Sequence, residues 1–165
     1  MKSFCPCGSQ QTYELCCQPY HSGSARAETA LVLMCSRYSA FVLELADYLI
    51  LTTAPSQRKS SDLIDLKATF QQLKWQDLKI LNTELGQAKD QHGFVEFRAS
   101  YSEADNQVHV LQERSHFVKE QGNWFYVRGW LRPESPPKRM APCWCGSVKS
   151  YRKCHYILDK SNPLN

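Results

Sequence analysis

A cysteine-rich motif occurs twice in this chain of 165 residues, once near each terminus. The first copy, CPCGSQQTYELCC, covers residues 5–17, and the second, CWCGSVKSYRKCH, covers residues 143–155. Three cysteines, a glycine, a serine and a tyrosine recur at a constant offset of 138 positions, and the last position changes from Cys17 to His155. Thiolate sulfur and imidazole nitrogen are both good zinc ligands, so this exchange indicates a metal site. The repeat therefore predicts two small metal-binding modules.

The spacing of each copy suits one tetrahedral ion. Cys-x-Cys places two thiolates on one side of a tight turn, the next glycine can adopt a positive φ, and the serine can cap a short helix that returns the last pair. A fully ligated site is closed and therefore structural, and on the order of 10 kcal/mol of binding free energy would fold a segment too short for its own core. The predicted ligands of the two zinc ions are Cys5, Cys7, Cys16, Cys17, Cys143, Cys145, Cys154 and His155.

Several alternatives to two closed zinc sites stay open at this point. Disulfides are disfavoured because adjacent cysteines pair poorly and cytosolic thiols stay reduced. Iron–sulfur ligation is conceivable only at the first copy, which has four cysteines. An open site would result if Cys17 or His155 pointed away from the ion. His21 is a nearby substitute for Cys17.

Composition and charge narrow the function classes. With 42% hydrophobic residues the chain can build a packed core, and its formal charge is +4. Two zinc ions add four charges and seven thiolates remove seven, which leaves about +1 and little support for nucleic-acid binding from net charge. The apolar stretch over residues 40–51 contains Glu44 and Asp47 and is too short to span a bilayer. The first residues lack the apolar region of a secretory signal, so we expect a cytoplasmic protein.

The residues between the two copies predict helices followed by strands. Apolar residues at helical spacing predict a helix from residue 27, a second over 46–53 and a third capped by Asp62. Alternating apolar residues predict strands over 78–85, 94–102, 108–119 and 124–131, with a turn at 121–123 before the last. This order predicts an α+β domain whose helices pack on one face of a curved antiparallel sheet.

Both copies of the repeat resemble the SEC-C motif, the zinc module at the C-terminus of the preprotein translocase ATPase SecA. Trp144 stands where proline is usual. The first copy lacks the usual lysines, whereas the second keeps Lys149, Arg152 and Lys153. Any basic contact surface is therefore expected at the second copy.

The middle of the chain resembles the YchJ family of bacterial proteins. Three stretches carry the resemblance: MCSRYSAFV at 34–42, QERSHF at 112–117 and GNWFYVRG at 122–129. It implies a nuclear transport factor 2-like (cystatin-like) cone flanked by SEC-C modules, with domains at 1–23, 24–132 and 133–165. The family supplies no activity to carry over.

These observations favour a non-enzymatic zinc protein whose SEC-C modules dock on a protein partner. The resemblance to SecA implies a chaperone or part of the export or ribosome-associated machinery as that partner.

The first alternative is a small-ligand or catalytic site in the cone pocket, with Arg37, Tyr38, Asp47 and Glu113 as candidates. Glu113 and His116 point to opposite faces of a strand, which disfavours a carboxylate–histidine pair. Core packing of Tyr38 and an Arg37–Glu113 ion pair are the structural interpretations, and Cys35 is expected in the core.

The second alternative is nucleic-acid binding. Five basic residues lie in an acid-free stretch around the second copy: Lys138, Arg139, Lys149, Arg152 and Lys153. Trp124, Tyr126 and Trp130 could stack on bases, although core packing or pocket lining is the simpler interpretation.

Overall fold

Five helices and four strands make up residues 4–161, the part of the chain that the computed structural model describes. The helices are α1 Gln18–His21, α2 Ala30–Val42, α3 Ala46–Leu51, α4 Asp62–Gln72 and α5 Tyr156–Ser161. The strands are β1 Lys74–Leu85, β2 His92–Ser102, β3 Val108–Glu120 and β4 Asn123–Leu131. Residues 1–3 and 162–165 of the predicted terminal modules lie outside the described residues.

The helices occur where the apolar spacing places them, but their ends differ from the prediction. The first helix of the middle domain, α2, begins at Ala30 because the Thr29 hydroxyl accepts a hydrogen bond from the Val32 N–H at 3.2 Å, which caps the helix. Asp62 is the first residue of α4 rather than its N-cap, and its carboxylate accepts from the Lys59 N–H instead. Within residues 4–161, no helix is long and apolar enough to cross a bilayer.

The four strands form one antiparallel meander in the order β1-β2-β3-β4. Its first strand begins at Lys74, earlier than the predicted residue 78, because α4 ends at Gln72 and the next residue, Leu73, is already extended. Register shifts interrupt the pairing of β1 with β2 at two places, and such bulges bend a sheet. Between β3 and β4, Gln121 and Gly122 both have positive φ values, 48° and 79°, as a tight two-residue hairpin turn requires.

The main core lies between α2 and one face of the sheet, called the inner face below. Val95, Phe97 and Ala99 alternate along β2 toward α2, and Phe117 of β3 is fully buried among them. A smaller core joins the end of α2 to α3 and α4. Helices thus cover one face of a curved antiparallel sheet, as the order of elements predicts.

The faces of β3 and β4 decide which side chains can reach the cone interior. Glu113 and Ser115 border an interior cavity, whereas the neighbouring His116 stacks with Phe94 on the opposite, outer face. This confirms the predicted separation of Glu113 from His116. In β4, a register shift next to Val127 leaves Tyr126 on the inner face and moves Trp130 to the outer face. The base-stacking platform of Trp124, Tyr126 and Trp130 is therefore not formed.

Candidate metal centres

The first candidate centre gathers Cys5, Cys7, Cys16 and Cys17, whose sulfur atoms all lie within 4.8 Å of one another. The Cys7–Cys16 and Cys16–Cys17 sulfur distances are 3.5 and 3.8 Å. A tetrahedral ion with Zn–S bonds of about 2.3 Å requires sulfur separations of about 3.8 Å, so the spacing fits one ion. The separations are too long for disulfides, and every cysteine of the described residues is a free thiol.

The local backbone explains how the first motif brings its ends together. The Cys5 N–H donates to the Gln11 carbonyl at 2.7 Å, and Gly8 turns the chain with a φ of 78°. A single 3-10 turn, Tyr13–Leu15, then leads to the last two cysteines. The Ser9 hydroxyl lies 3.1 Å from the Cys16 sulfur, so this serine contacts a predicted ligand instead of capping a helix.

The second candidate centre repeats this geometry with Cys143, Cys145, Cys154 and His155. Nδ1 of His155 lies 3.2 Å from the Cys143 sulfur and 3.1 Å from the Cys154 sulfur. The Cys145–Cys154 sulfur distance is 3.6 Å. The backbone elements recur as well: the Cys143 N–H donates to the Lys149 carbonyl, and Gly146 has a φ of 75°. Each centre could therefore hold a single metal ion.

The structure supports neither a fourth ligand that points away from its group nor a replacement of Cys17 by His21. Cys17 is 1% exposed and lies inside the first group. Both ring nitrogens of His21 bind elsewhere, Nδ1 to the Tyr13 hydroxyl and Nε2 to the Ser36 carbonyl, each at 2.8 Å. Cys35 packs between the core and the first centre but does not belong to the ligand group. Burial raises the pKa of its thiol to about 12 and keeps it protonated.

The first centre is attached to α2. The hydroxyl of Ser39, which is fully buried, donates to the Cys17 sulfur at 3.3 Å and lies 3.5 Å from the Cys5 sulfur. A hydrogen bond from Cys17 lowers the pKa of Cys7 to about 4, so this group already favours one thiolate. A thiolate is the form that ligates a metal.

The second centre is attached to the outer face of the sheet. Nε2 of His155 lies 2.9 Å from a carboxylate oxygen of Glu96, and the Gln112 amide donates to the other oxygen at 2.6 Å. With a metal ion on Nδ1, Nε2 would carry the proton and donate a hydrogen bond to the Glu96 carboxylate. A carboxylate behind a ligating histidine fixes the tautomer and orientation of the ring.

The tryptophan that replaces the usual proline has a packing role in this module. The Trp144 ring lies 4.7 Å from the His155 ring, and its indole N–H donates to the Asp159 carboxylate at 3.0 Å. Asp159 is buried, accepts from the Tyr151 hydroxyl and forms an ion pair with Arg132 at 3.4 Å. These contacts connect the ligating histidine to the last helix and to the end of the sheet.

Sequence reasoning did not identify Glu96, Gln112 or Ser39 as partners of the two centres. A histidine that ligates a metal through one ring nitrogen needs a hydrogen-bond acceptor for the N–H of the other. The sequence could therefore have predicted that His155 has a carboxylate partner. Its position was not, since Glu96 lies 59 residues away in the sequence.

The basic residues of the second copy lie on its surface. Lys149, Arg152 and Lys153 are exposed, and Arg139 stacks over the Tyr156 ring at 4.7 Å. A cleft of about 800 Å³ between this module and the outer face of the sheet is bordered partly by Lys149 and Lys153. The positive charge of this module thus faces solvent beside a cleft.

The cone interior contains three of the four candidate pocket residues. Arg37, Tyr38 and Glu113 line a cavity of about 200 Å³, whereas Asp47 is exposed on α3 and does not border it. Among residues 4–161, Arg37 and Glu113 form no ion pair; one guanidinium nitrogen of Arg37 instead donates to the Leu49 carbonyl at 2.7 Å. The expected ion pair is therefore wrong, and so is the place of Asp47 in the pocket.

Comparison with protein families gives two matches. The description "YchJ, middle NTF2-like domain" matches residues 29–129, and the SEC-C motif matches residues 5–19 and 141–157. Here NTF2 is nuclear transport factor 2, so the matches agree with the cone and with the two metal modules. The exact limits of the three predicted domains stay a prediction.

Individual relatives agree over most of the chain. A UPF0225 protein of Enterobacter sp. (strain 638) is 42% identical over 154 residues, which cover 93% of this chain and 98% of that protein. The solution structure of a SEC-C motif containing protein from Rhodopseudomonas palustris is 33% identical, with a TM-score of 0.70, and covers 76% of this chain and 95% of its own. The crystal structure of a SEC-C motif containing protein from Psychrobacter arcticus is 29% identical, with a TM-score of 0.65. The match covers 93% of this chain and 95% of that protein. The chain therefore belongs to the YchJ family, with a nuclear transport factor 2-like domain between two SEC-C motifs.

Proposed function

We propose that the protein holds one zinc ion in each terminal module and uses these modules to dock on a protein partner, without catalysing a reaction. The observation that carries the proposal is the convergence of four ligand atoms within 4.8 Å at each end of the chain. Four ligand atoms this close together can surround one ion, whereas a cluster of several iron atoms needs more space between its ligands. The first centre has four thiols, and the second has three thiols and one imidazole; both ligand sets suit zinc.

The completeness of both ligand sets supports a structural role for the metal. Four protein ligands leave no position for water or substrate, whereas catalytic zinc keeps one position open. The ion would supply the free energy that holds each short module in shape. Docking is then a property of the surface that the ion stabilises.

That surface combines exposed apolar side chains with positive charge. Phe4 and Leu15 of the first module are 74% and 77% exposed, and Val148 and Ile157 of the second are exposed to a similar or greater extent. Lys149, together with Arg152 and Lys153, adds positive charge beside Val148. Apolar patches with a charged rim are typical of protein-binding surfaces. The partner would thus be a protein with an acidic, partly apolar surface, such as a chaperone or a component of the export or ribosome-associated machinery.

Metal analysis of the full chain tests the zinc sites. We expect two zinc ions per chain, and one after either paired substitution, Cys5→Ser with Cys7→Ser or Cys143→Ser with Cys145→Ser. Cys35→Ser is the matched control, because this thiol touches the first centre without belonging to it. Metal content near zero in the unsubstituted chain, or loss of zinc in the Cys35→Ser variant, would contradict the assignment.

Docking is tested by affinity capture with zinc-loaded and chelator-treated protein, each with and without nuclease. The proposal requires a specific partner whose recovery falls on chelation and on Val148→Glu, while nuclease has no effect. Recovery that disappears with nuclease and with added salt would instead favour the nucleic-acid alternative.

A further inference from the structure

The cone interior contains three polar side chains, those of Arg37, Glu113 and Ser115, that core packing alone does not explain. Its cavity of about 200 Å³ lies between α2 and the inner face of the sheet. Its walls include the aromatic rings of Phe41, Trp75, Phe97 and Tyr126. An engineered cavity of about 150 Å³ holds a benzene molecule, so this one is large enough for a six-membered ring with one substituent.

One wall of the cavity carries a fixed positive charge. Arg37 is 7% exposed, and its guanidinium carbon lies 4.7 Å from the centre of the Tyr126 ring. Burial lowers its pKa to about 10, which still leaves it protonated at neutral pH. One of its terminal nitrogens donates to the Leu49 carbonyl and the Thr52 hydroxyl. Within residues 4–161 no carboxylate lies within ion-pair distance of this charge, and a buried charge without a counter-ion is costly.

The one carboxyl group in the cavity does not serve as that counter-ion. The carboxyl group of Glu113 lies over Gly129. A Cβ atom added at Gly129 would lie 2.0 Å from Oε1 of Glu113. This oxygen accepts a hydrogen bond from the Ser115 hydroxyl at 2.5 Å. Burial raises the pKa of Glu113, whereas the hydrogen bond from Ser115 and the nearby charge of Arg37 act in the opposite direction.

We propose that the cone cavity binds a small monocyclic organic acid, with its carboxylate against Arg37 and its ring among the aromatic side chains. The carboxylate supplies the missing counter-ion, and the ring buries apolar surface against Phe41, Trp75 and Tyr126. An organic ammonium is disfavoured despite the aromatic walls, because Arg37 would repel it.

A second cavity of about 480 Å³ lies next to the site, between α3, α4 and β4. Arg37, Phe41 and Tyr126 border both cavities, so the guanidinium lies where the two meet.

Three probes of one shape test the ligand class on the zinc-loaded full chain: benzoate, benzyl alcohol and benzylamine. Trp75 is a built-in reporter, because its side chain borders the cavity and its buried indole N–H has no hydrogen-bond partner among the described residues. We expect benzoate to shift its NMR signal with saturation below about 10 mM. Benzyl alcohol and benzylamine should bind about tenfold more weakly or worse, since they lack the charge-assisted bond.

Two variants separate binding in the cavity from general effects on folding. Leu111→Trp fills the cavity from β3 without touching the partners of Arg37, and should abolish the benzoate shift in a folded protein. Arg37→Gln should make benzoate and benzyl alcohol equivalent. The proposal is overturned if the Trp75 signal does not respond to benzoate, if either other probe binds as tightly, or if binding persists in Leu111→Trp.

Discussion

At the residue scale, His155 joins a candidate metal centre to the middle domain through its two ring nitrogens. Nδ1 faces the sulfurs, and Nε2 faces Glu96, which is 6% exposed and also accepts from Gln112. Removing the histidine or the glutamate would leave the other buried without its partner, and such a loss costs more than the pair contributes when intact. In a metal-loaded centre, the carboxylate would orient the ligating ring without binding the ion itself.

Replacing Glu96 by alanine should weaken metal binding at the second centre only. The expected loss of affinity is about 10–100-fold, typical for the loss of a residue that orients a ligating histidine. Competition with a chromophoric chelator measures it in a chain whose first centre is removed by Cys5→Ser and Cys7→Ser. Glu84→Ala is the matched control, because Glu84 binds Arg114 and not His155. Equal affinities in the two variants would show that Glu96 does not orient the ligand.

At the element scale, the turn end of the β1–β2 hairpin rests directly on the start of α2. The Ala30 N–H donates to the Gly86 carbonyl at 2.9 Å. A Cβ atom at Gly93 would lie 2.5 Å from the Gly86 Cα and 2.8 Å from the Ala30 Cβ. Two strands and a helix therefore meet at a point with no room for one additional carbon atom.

Replacing Gly93 by alanine should destabilise the middle domain by about 1–3 kcal/mol, the usual cost of overpacking. Thermal unfolding at constant zinc concentration measures the change, and roughly 2–4 °C of melting temperature is lost per kcal/mol in a chain of this size. Gly122→Ala provides a comparison with open space around the new carbon and strain only from its positive φ. If Gly93→Ala melted at the temperature of the unsubstituted protein, the close approach of hairpin and helix would be wrong.

The sequence predicted local motifs better than it predicted strand register or the packing of one helix on another. The ligands of both centres were predictable because a repeated local spacing encodes them within thirteen residues each. The bulge next to Val127 was not predictable, because strand alternation assumes an unbroken register, and Trp130 was therefore grouped with Trp124 and Tyr126. The exposure of Asp47 depends on how α3 turns after the end of α2, which apolar spacing does not specify.

At the scale of the whole molecule, the two modules attach to opposite sides of the middle domain. The first contacts α2 through Ser39, while the second contacts the outer face of the sheet through Glu96 and covers Trp130 with Gly146. The core between α2 and the inner face belongs to neither module. The candidate metal centres therefore pack against the middle domain but are not part of its hydrophobic core.

Chelation of the metal should release both modules while the middle domain stays folded. Trypsin cleavage after Lys149 should become at least about tenfold faster, because the metal supplies most of the module's stability. Cleavage after Arg98 in β2 should not change. Mass spectrometry of timed digests measures both sites, and added zinc should restore the original rates. Equal acceleration at the two sites would mean that the metal supports the entire fold.

The attachment of the modules on opposite sides determines what the chain can hold at one time. Two molecules that each contact a different module would be separated by α2 and the sheet, so they would not compete for space. If the modules dock on partners as proposed, a neighbour of the first module would lie on the helical side of the middle domain and a neighbour of the second on its strand side.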